Sequence, residues 1–233
     1  MFSFYSNQIT GETAILGEEE SIHCSRVLRK RVGDEVHIVD GMGKIYLGRI
    51  LTLSKNKVEV QLLRLVVEEE KENFKIQIAI APTKNINRIE WFLEKSTEIG
   101  LDSVYFVETE HSERRKVRLD RLQKIVLSAM KQSKHTYLPE LHDLQKLSHF
   151  LVNLPDIEKK FIAWCEDDTN HLLKDNIEPG EDVLVLIGPE GGFSPKEVEL
   201  CKAAGFETIS LGKSRLRTET AGLVACAVVN FIN

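Results

Sequence analysis

The stretch DVLVLIGPEGGFSPKEVEL, residues 182–200, decides the fold class of this chain. It opens with an unbroken apolar run, which is typical of a strand buried on both faces of a parallel sheet. A helix is predicted to begin at SPKE, because Ser194 suits the N-cap, Pro195 suits the first helical position and Glu197 completes a capping box. A buried strand, a loop and a helix in this order predict an α/β domain.

The loop between this strand and this helix carries Gly188, Gly191 and Gly192. Open α/β sheets bind ligands at the carboxyl ends of their strands, and glycines let the backbone approach a ligand closely. The loop lacks the GxGxxG spacing of dinucleotide-binding folds, and no GK[ST] follows as in a Walker A loop. We therefore expect a nucleoside rather than a phosphate group here, with a tight turn that needs positive φ as the alternative.

The rest of the chain divides into two patterns. From Phe74 onward, apolar strand patterns (KIQIAIA, SVYFVE, FIAWC, ETISLG) alternate with amphipathic helix patterns at 88–99 and 119–131. Before the charged segment Val66 to Phe74, short alternating strands predict a small β-barrel with one inserted helix in GEEESIHCSRVLRKR. We therefore expect two domains, residues 1–70 and residues 74–233.

The carboxyl-terminal stretch ISLGKSRLRTETAGLVACAVVNFIN, residues 209–233, repeats the pattern of strand, glycine loop and helix. Its helix, capped at Thr218 and running from Glu219 to Ile232, is almost wholly apolar. A helix that is apolar on all sides must be buried. It is too short to span a bilayer, which needs about 20 residues, so it lies either in the core or against a partner subunit.

The charge distribution favours a local contact with an anionic partner. The chain of 233 residues carries a formal net charge of -5, which argues against a protein that coats nucleic acid by bulk attraction. Its cations cluster in RVLRKR (26–31), ERRKVRLDR (113–121) and GKSRLR (212–217). Basic patches on an acidic body suit phosphate contacts confined to one face.

The cysteines do not predict a metal site, because they lie far apart, form no CxxC pair and have no histidine at zinc-finger spacing. They are Cys24, Cys165, Cys201 and Cys226. We interpret them as reduced, mostly buried thiols. Because no apolar run is long enough for a bilayer and the amino terminus shows no export signal, we expect a cytoplasmic protein without a membrane anchor or a metal.

Six motifs distributed over nearly the whole sequence occur together in one known family. They are HCSRVLRKRVGD (23–34), APTKNINRIEWFLEKSTEIG (81–100), SERR (112–115), SAMKQSKHTYLP (128–139), IGPEGGFSPKE (187–197) and LGKSRLRTETA (211–221). With them, the chain resembles the RsmE family of 16S rRNA uracil-N3 methyltransferases, which belongs to the SPOUT superfamily. The pairing of IGPEGGF with LG..RLR.ETA is highly specific for this family.

The resemblance implies a SPOUT-type α/β trefoil-knot domain preceded by a small PUA-like β-barrel that binds RNA, and a homodimer formed through the knotted domain. It also implies S-adenosylmethionine as the cofactor, held in a bent shape by the two glycine loops. The expected cofactor-binding residues are Leu186, Ile187, Gly188, Glu190, Gly191, Gly192, Leu211, Gly212, Leu216, Arg217 and Thr220. The glycines would let adenine and ribose lie against bare backbone.

The implied reaction is methyl transfer from the sulfonium of the cofactor to N3 of a uridine in the 16S rRNA of the small ribosomal subunit. Alignment of nitrogen, methyl carbon and sulfur should dominate such a displacement. Uracil N3 carries a weakly acidic proton, so Arg217 is a candidate to stabilise the imide anion, and Glu219 or Glu190 is a candidate to take the proton. The structural alternatives are that Glu219 only suits the first turn of a helix and that Arg217 only binds phosphate.

The RNA-binding residues implied by the resemblance are Arg26 and Arg29 in the first domain, and Lys84 and Arg114 in the second. For any one of the arginines, a solvated helix face is the alternative. Two other functions stay open at this point. One is a SPOUT RNA methyltransferase with a different target, such as a ribose 2′-oxygen, and the other is a non-catalytic RNA-binding assembly factor.

Overall fold

The computed structural model describes residues 3–164 and 171–233, so the expected thiol at Cys165 lies outside the described residues. The chain divides into two compact units. The first comprises Met1–Lys71 and Met130–Leu138, and the second comprises Glu72–Ala129 and Pro139–Asn233. Each unit has its own six-stranded sheet.

The strands of the first unit are β1 (Ser3–Tyr5), β2 (Gln8–Thr10), β3 (Thr13–Leu16), β4 (Glu35–Val39), β5 (Lys44–Leu53) and β6 (Val58–Glu68). Their order in the sheet is β1-β4-β5-β6-β3-β2. β1 and β4 run parallel, and the other neighbours are antiparallel. The predicted alternation of apolar residues is confirmed in β4 and β6. It is wrong in β5, where Tyr46 and Ile50 pack into the core rather than the predicted Ile45 and Leu47, because the register of this strand shifts between Ile45 and Tyr46 and between Leu47 and Gly48. The sequence pattern does not delimit the three short strands before residue 17.

The inserted helix between β3 and β4 is α1 (Glu18–Ile22), which continues into a π-helical turn at His23–Val27. The helix predicted there is confirmed, but it ends earlier than the segment that predicts it. The reason is Arg29, whose φ of 50° lies in the left-handed region that a right-handed helix excludes. Cys24 of the turn packs into the core of this unit with Phe4 and Ile38.

The end of helix α3 (Leu119–Ser133) also belongs to the first unit. Lys131 pairs there with Glu20 of α1, a residue that is buried. Glu20 accepts a second hydrogen bond from the backbone N–H of Tyr5 at 3.2 Å. Because both partners are largely removed from solvent, loss of either one would leave an uncompensated charge.

The second unit contains β7 (Ile76–Ile80), β8 (Ser103–Glu108), β9 (Glu140–Lys146), β10 (Lys159–Ala163), β11 (Val183–Ile187) and β12 (Glu207–Ile209). The order is β12-β10-β11-β7-β8-β9, and each neighbouring pair is parallel. The predicted α/β domain with a parallel sheet is therefore confirmed.

The remaining helices are α2 (Ile86–Ile99), α4 (Leu147–Val152), α5 (Pro195–Ala203) and α6 (Thr218–Ile232), with a 3-10 turn at Leu173–Asp175. Along β11, Val183, Val185 and Ile187 join one core with residues of α2 and α6. Leu184 and Leu186 join the other core with residues of α4 and α5. All five strand residues are buried, which is why the strand has an unbroken apolar sequence.

Helix α5 begins as predicted, whereas α6 does not. The capping box of α5 is present: Ser194 Oγ accepts from Glu197 N at 3.4 Å, and Glu197 Oε2 accepts from Ser194 N at 2.9 Å. The predicted cap of α6 at Thr218 is wrong, because Arg217 occupies the N-cap and Thr218 is the first helical residue. The Thr218 hydroxyl instead donates to Gly188 O at 3.0 Å and so joins the two glycine loops.

Cys24, Cys201 and Cys226 are free and buried. Burial raises the pKa of Cys24 to about 11 and the pKa values of Cys201 and Cys226 to about 12. A protonated thiol is a poor nucleophile and a poor metal ligand, so these cysteines are packing residues. Among the described residues, no cluster of three or more His, Cys, Asp or Glu side chains is arranged to hold a metal, and no helix is long and apolar enough to cross a membrane.

Candidate functional site

The carboxyl ends of β10, β11 and β12 lie at one edge of the parallel sheet, and a cavity of about 610 Å³ lies there. The lining residues are Ala163 and Trp164 after β10, residues 187–193 after β11, residues 209–218 after β12, and Ala221 of α6. A cavity of this volume at the strand ends of an open α/β sheet suits a nucleoside-sized ligand.

Most of the residues predicted to bind the cofactor line this cavity. They are Ile187, Gly188, Glu190, Gly191, Gly192, Leu211, Gly212, Leu216 and Arg217. Leu186 and Thr220 do not line it. Successive strand residues point to opposite faces of a sheet, so Leu186 packs on the far side with Val198 while its neighbour Ile187 reaches the cavity. Cofactor contact by each of these residues stays a prediction.

The glycines of the cavity are required for two different reasons. Gly212 has a φ of 132°, and a Cβ there would meet no atom within 4 Å, so a side chain would be strained and would extend into open space. A Cβ on Gly191 would lie 3.0 Å from Cβ of His111, and a Cβ on Gly188 would lie 2.9 Å from the Phe193 ring. Backbone conformation therefore selects glycine at 212, and close packing selects it at 188 and 191.

Hydrogen bonds within and between the loops fix the shape of the cavity. Ser210 Oγ donates to Gly212 O at 3.0 Å and accepts from Gly212 N at 3.2 Å. Gly192 N donates to Pro189 O at 2.9 Å, which closes the turn of the first loop. Together with the bond from Thr218 to Gly188, these contacts order the loops before a ligand arrives.

Three charged side chains meet beside the cavity. Glu190 lines the cavity, and its Oε1 accepts from Lys84 N at 3.1 Å. Arg88 places Nη1 4.0 Å from Glu190 Oε1 and Nε 3.7 Å from Glu219 Oε1. Glu219 is buried, and its Oε2 has no hydrogen-bond partner within the described residues. Neither Arg88 nor Glu219 lines the cavity itself.

This arrangement distinguishes the two predicted proton acceptors. Glu190 is engaged by a backbone N–H, whereas Glu219 retains a free oxygen. Sequence reasoning missed Arg88, because a cation in the first turn of a helix is typical of an ordinary solvated helix surface. Only the parallel sheet, which brings the start of α2 next to the loop after β11, places this cation between the two carboxylates.

Arg217 lies at the N-cap of α6, exposed to solvent, and lines the cavity. Lys213 and Arg215 lie on the same loop and are exposed as well. Across residues 3–164 and 171–233, none of these three cations forms an ion pair. Their positive charge is therefore open to an anionic ligand.

Lys84 and Arg114 lie side by side. Arg114 Nη2 donates to Lys84 O at 2.5 Å. Lys84 Nζ pairs with Glu113 Oε2 at 2.8 Å, and this hydrogen bond raises the pKa of Lys84. With Arg115 and Lys116, these residues line a second, open cavity of about 460 Å³. The fold thus gathers the two predicted RNA-binding residues of the second unit, and RNA contact stays a prediction.

The other two predicted RNA-binding residues, Arg26 and Arg29, are exposed in the first unit. Arg26 lies in the π-helical turn, and Arg29 follows that turn in a left-handed conformation. Because the chain leaves helical geometry at Arg29, the two side chains do not belong to one continuous helix face. RNA binding by these arginines also stays a prediction.

Two family models match the chain. Residues 70–230 match the RNA methyltransferase domain, and residues 16–63 match the RNA methyltransferase PUA domain. The chain belongs to this RNA methyltransferase family. The predicted fold class, an α/β domain preceded by a PUA-like domain, is confirmed by these matches together with the parallel sheet.

Individual family members resemble the chain over nearly its whole length. A probable rRNA-methyltransferase from Porphyromonas gingivalis is 40% identical, with a TM-score of 0.87 and coverage of 100% of this chain and 98% of that chain. Ribosomal RNA small subunit methyltransferase E from Neisseria gonorrhoeae, solved bound to S-adenosyl methionine, is 30% identical, with a TM-score of 0.84 and coverage of 97% and 95%. The enzyme of the same name from Synechocystis is 30% identical over 230 residues, covering 96% of this chain and 74% of that protein. The family that the sequence motifs predict is therefore confirmed.

Proposed function

We propose that this chain is an S-adenosylmethionine-dependent methyltransferase that modifies N3 of a uridine in the 16S rRNA of the small ribosomal subunit. The observation that carries the proposal is the cavity between the two glycine loops, which lies within the RNA methyltransferase domain. A relative that shares 30% identity and nearly the whole fold was solved with S-adenosyl methionine bound. The alternatives from the sequence have no comparable support.

The residues of the cavity fit this cofactor. Ile187, Leu211 and Leu216 offer apolar side chains to a purine, and the open space at Gly212 leaves bare backbone for a sugar. Glu190 places a negative charge at the cavity, which suits a cationic sulfonium or ammonium group. When bound, the cofactor supplies an electrophilic methyl group.

Side chains of this protein would accept the proton from uracil N3 and stabilise the negative charge that remains on the uracil. Glu219 is the proposed proton acceptor, because its Oε2 is buried without a partner in the described part of the chain. Glu190 is a weaker candidate, since Lys84 N already engages its carboxylate. Arg217, exposed at the cavity, would stabilise negative charge on the uracil oxygens after N3 loses its proton.

RNA contact is assigned to the basic cluster of Lys84, Arg115 and Lys116 beside Arg114 in the second unit, and to Arg26 and Arg29 in the first. We further propose a homodimer that works in the cytoplasm on ribosomal subunits. The support for the dimer is α6, where Phe231 is 86% exposed although the helix is mostly apolar. Val224 and Val228 lie on the same face of the helix as Phe231 and are only partly buried. A contiguous apolar surface of this kind marks an interaction site, and a second copy would cover it.

The test is methyl transfer from labelled S-adenosylmethionine to small subunits isolated from cells that lack the modification, followed by nucleoside analysis. The proposal expects labelled 3-methyluridine. A labelled 2′-O-methyl nucleoside would show a ribose methyltransferase instead. Cofactor binding by calorimetry without any transfer to subunits or to free 16S rRNA would favour a non-catalytic assembly factor.

A further inference from the structure

We propose that Arg114 is a positioning residue for the loop after β11, residues 188–193, here called the cofactor loop, and that its neighbours Arg115 and Lys116 supply the phosphate contacts of the basic cluster. The inference deepens the proposed function and rests on it, because it assumes a cofactor in the first cavity and RNA at the second. It concerns residues 110–116, here called the bridging segment, which follow β8.

The bridging segment leaves β8 through a closed turn. Thr109 N donates to Ser112 Oγ at 2.9 Å, and Ser112 N donates to Thr109 O at 3.1 Å. Both residues are buried. A turn closed by its own hydrogen bonds fixes the backbone that precedes Arg114. The direction of the Arg114 side chain is therefore set by this turn.

The guanidinium of Arg114 faces the protein. Nε donates to Thr83 O at 2.9 Å, and Nη2 donates to Lys84 O at 2.5 Å. Two of its five N–H groups are thereby committed to consecutive carbonyls of the loop after β7. Arg115 differs, because its side chain is 75% exposed and forms an ion pair with Glu108, with Nε 3.6 Å from Oε1.

The loop after β7, whose carbonyls accept hydrogen bonds from Arg114, also donates a hydrogen bond to Glu190. The N–H of Lys84 donates to Glu190 Oε1 at 3.1 Å, while the carbonyl of the same residue accepts from Arg114. One residue of backbone therefore connects the Arg114 guanidinium to a side chain that lines the cofactor cavity. Without Arg114, Lys84 would be free to shift, and Glu190 would lose its fixed partner.

The bridging segment reaches the cofactor loop a second time through its first two residues. Glu110 N donates to Glu197 Oε1 at 2.8 Å, and Glu197 is the N3 residue of the capping box of α5. His111 Nδ1 lies 3.2 Å from Gly192 O, and its Cβ is the atom closest to a side chain at Gly191. The segment thus contacts the chain just after Glu190, at Gly191, Gly192 and Glu197.

The outward side of the same segment carries exposed positive charge. Arg115 and Lys116 are exposed, and the side chain of Lys84 is 75% exposed in its pair with Glu113. A phosphate that bound these three cations would hold the bridging segment and the Lys84 backbone still. Because both elements also hold the cofactor loop, RNA and cofactor should each bind more tightly in the presence of the other.

The experiment compares Arg114→Met with the matched control Arg115→Met in the full-length protein. Calorimetry with S-adenosylmethionine should show a Kd raised about tenfold or more for Arg114→Met and changed by less than about twofold for Arg115→Met. Filter binding of a 16S rRNA transcript at several salt concentrations should show the reverse. Arg115→Met should reduce the slope of log K against log salt by about 0.7 to 0.9, the value for one phosphate contact, and Arg114→Met should leave the slope unchanged.

Kinetics and a conservative variant separate positioning from general damage. Arg114→Met should raise the KM for S-adenosylmethionine, and kcat should recover at saturating cofactor. Arg114→Lys keeps the charge but not the planar fork, so it should weaken cofactor binding too, and it carries the test if the methionine variant does not fold. Hydrogen exchange at the Lys84 amide should speed up in either Arg114 variant and not in Arg115→Met.

Three results would overturn the inference: wild-type cofactor affinity in a folded Arg114→Met protein, full rescue of that affinity by lysine, or a salt slope that falls in Arg114→Met as it does in Arg115→Met. The first two results would show that the guanidinium of Arg114 does not position the cofactor loop, and the third would make Arg114 an ordinary phosphate contact. A wild-type protein that binds no S-adenosylmethionine would be a different failure, because it would refute the proposed function itself.

Discussion

Replacing Glu219 by glutamine tests which carboxylate takes the proton from uracil. The amide keeps the shape of the side chain but cannot accept the proton, so kcat should fall by about 100-fold to 10,000-fold, the usual contribution of a positioned general base. The side chain does not line the cavity. The Kd for S-adenosylmethionine should therefore change by less than about twofold, because the substitution removes no contact made in the ground state.

The effect of this substitution on stability can be bounded from the structure. Arg88 Nε lies 3.7 Å from Glu219 Oε1, a separation worth about 4.5 kcal/mol at an effective dielectric constant of about 20 and about 1 kcal/mol in water. Arg88 is 36% exposed, which moves the attraction toward the lower figure. Loss of the charge also removes the cost of burying the carboxylate. We expect a net loss of about 1 to 2 kcal/mol, or roughly 2 to 8 °C in Tm for a chain of this size.

The assay is single-turnover methyl transfer at saturating cofactor and subunits, with calorimetry and thermal melting of the same preparation. Glu190→Gln is the control, and it should weaken cofactor binding because its carboxylate lies at the cavity and engages Lys84 N. A Glu219→Gln enzyme whose rate stays within about threefold of wild type would refute the base role. A large loss of rate together with a drop in Tm far beyond the expected range would assign the effect to structure instead.

The other predictions concern the glycines, the first unit and the oligomer. Gly212→Val and Gly191→Val should both weaken cofactor binding, the first by filling open space and the second by pressing on His111, and calorimetry on folded variants with wild-type affinity would contradict this. Arg29→Glu should weaken RNA binding and flatten its salt dependence without changing cofactor affinity, whereas an unchanged slope in filter binding would leave Arg29 a solvated residue. Light scattering should give twice the chain mass of 26.5 kDa, and methyl transfer by a monomer at micromolar concentration would exclude an obligate dimer.

The strand β11, the loop after it and the start of α5 could be predicted from the sequence because local rules agree there. The apolar run of β11 faces a core on each side, and Ser194, Pro195 and Glu197 each occupy the position that their chemistry favours. Strand β9 shows the opposite case. It is an edge strand with partly exposed residues, so it lacks the continuous apolar run that marks β7 and β11.

The candidate site was only partly predictable, since its side chains come together through the fold. Glycine loops at strand ends predict a cavity. No spacing in the sequence predicts that Arg88 lies near Glu219, or that Arg114 is linked to Glu190. Those relations depend on which strands are neighbours in the sheet. The trefoil knot came with the family resemblance alone, because periodicity carries no information about how a chain threads through itself.

The wrong prediction at Thr218 shows how a hydrogen bond joins the two glycine loops. A threonine at the start of a helix normally caps it, and a missing side-chain cap costs about 1 kcal/mol. Here the hydroxyl donates to Gly188 O instead, so α6 starts without a side-chain cap beside the cavity. The preference of threonine for the N-cap fails here because the same hydroxyl holds the loop after β11 against the start of α6. A threonine that capped its own helix would leave the two glycine loops free to separate, and the cavity between them would no longer be preformed for a ligand.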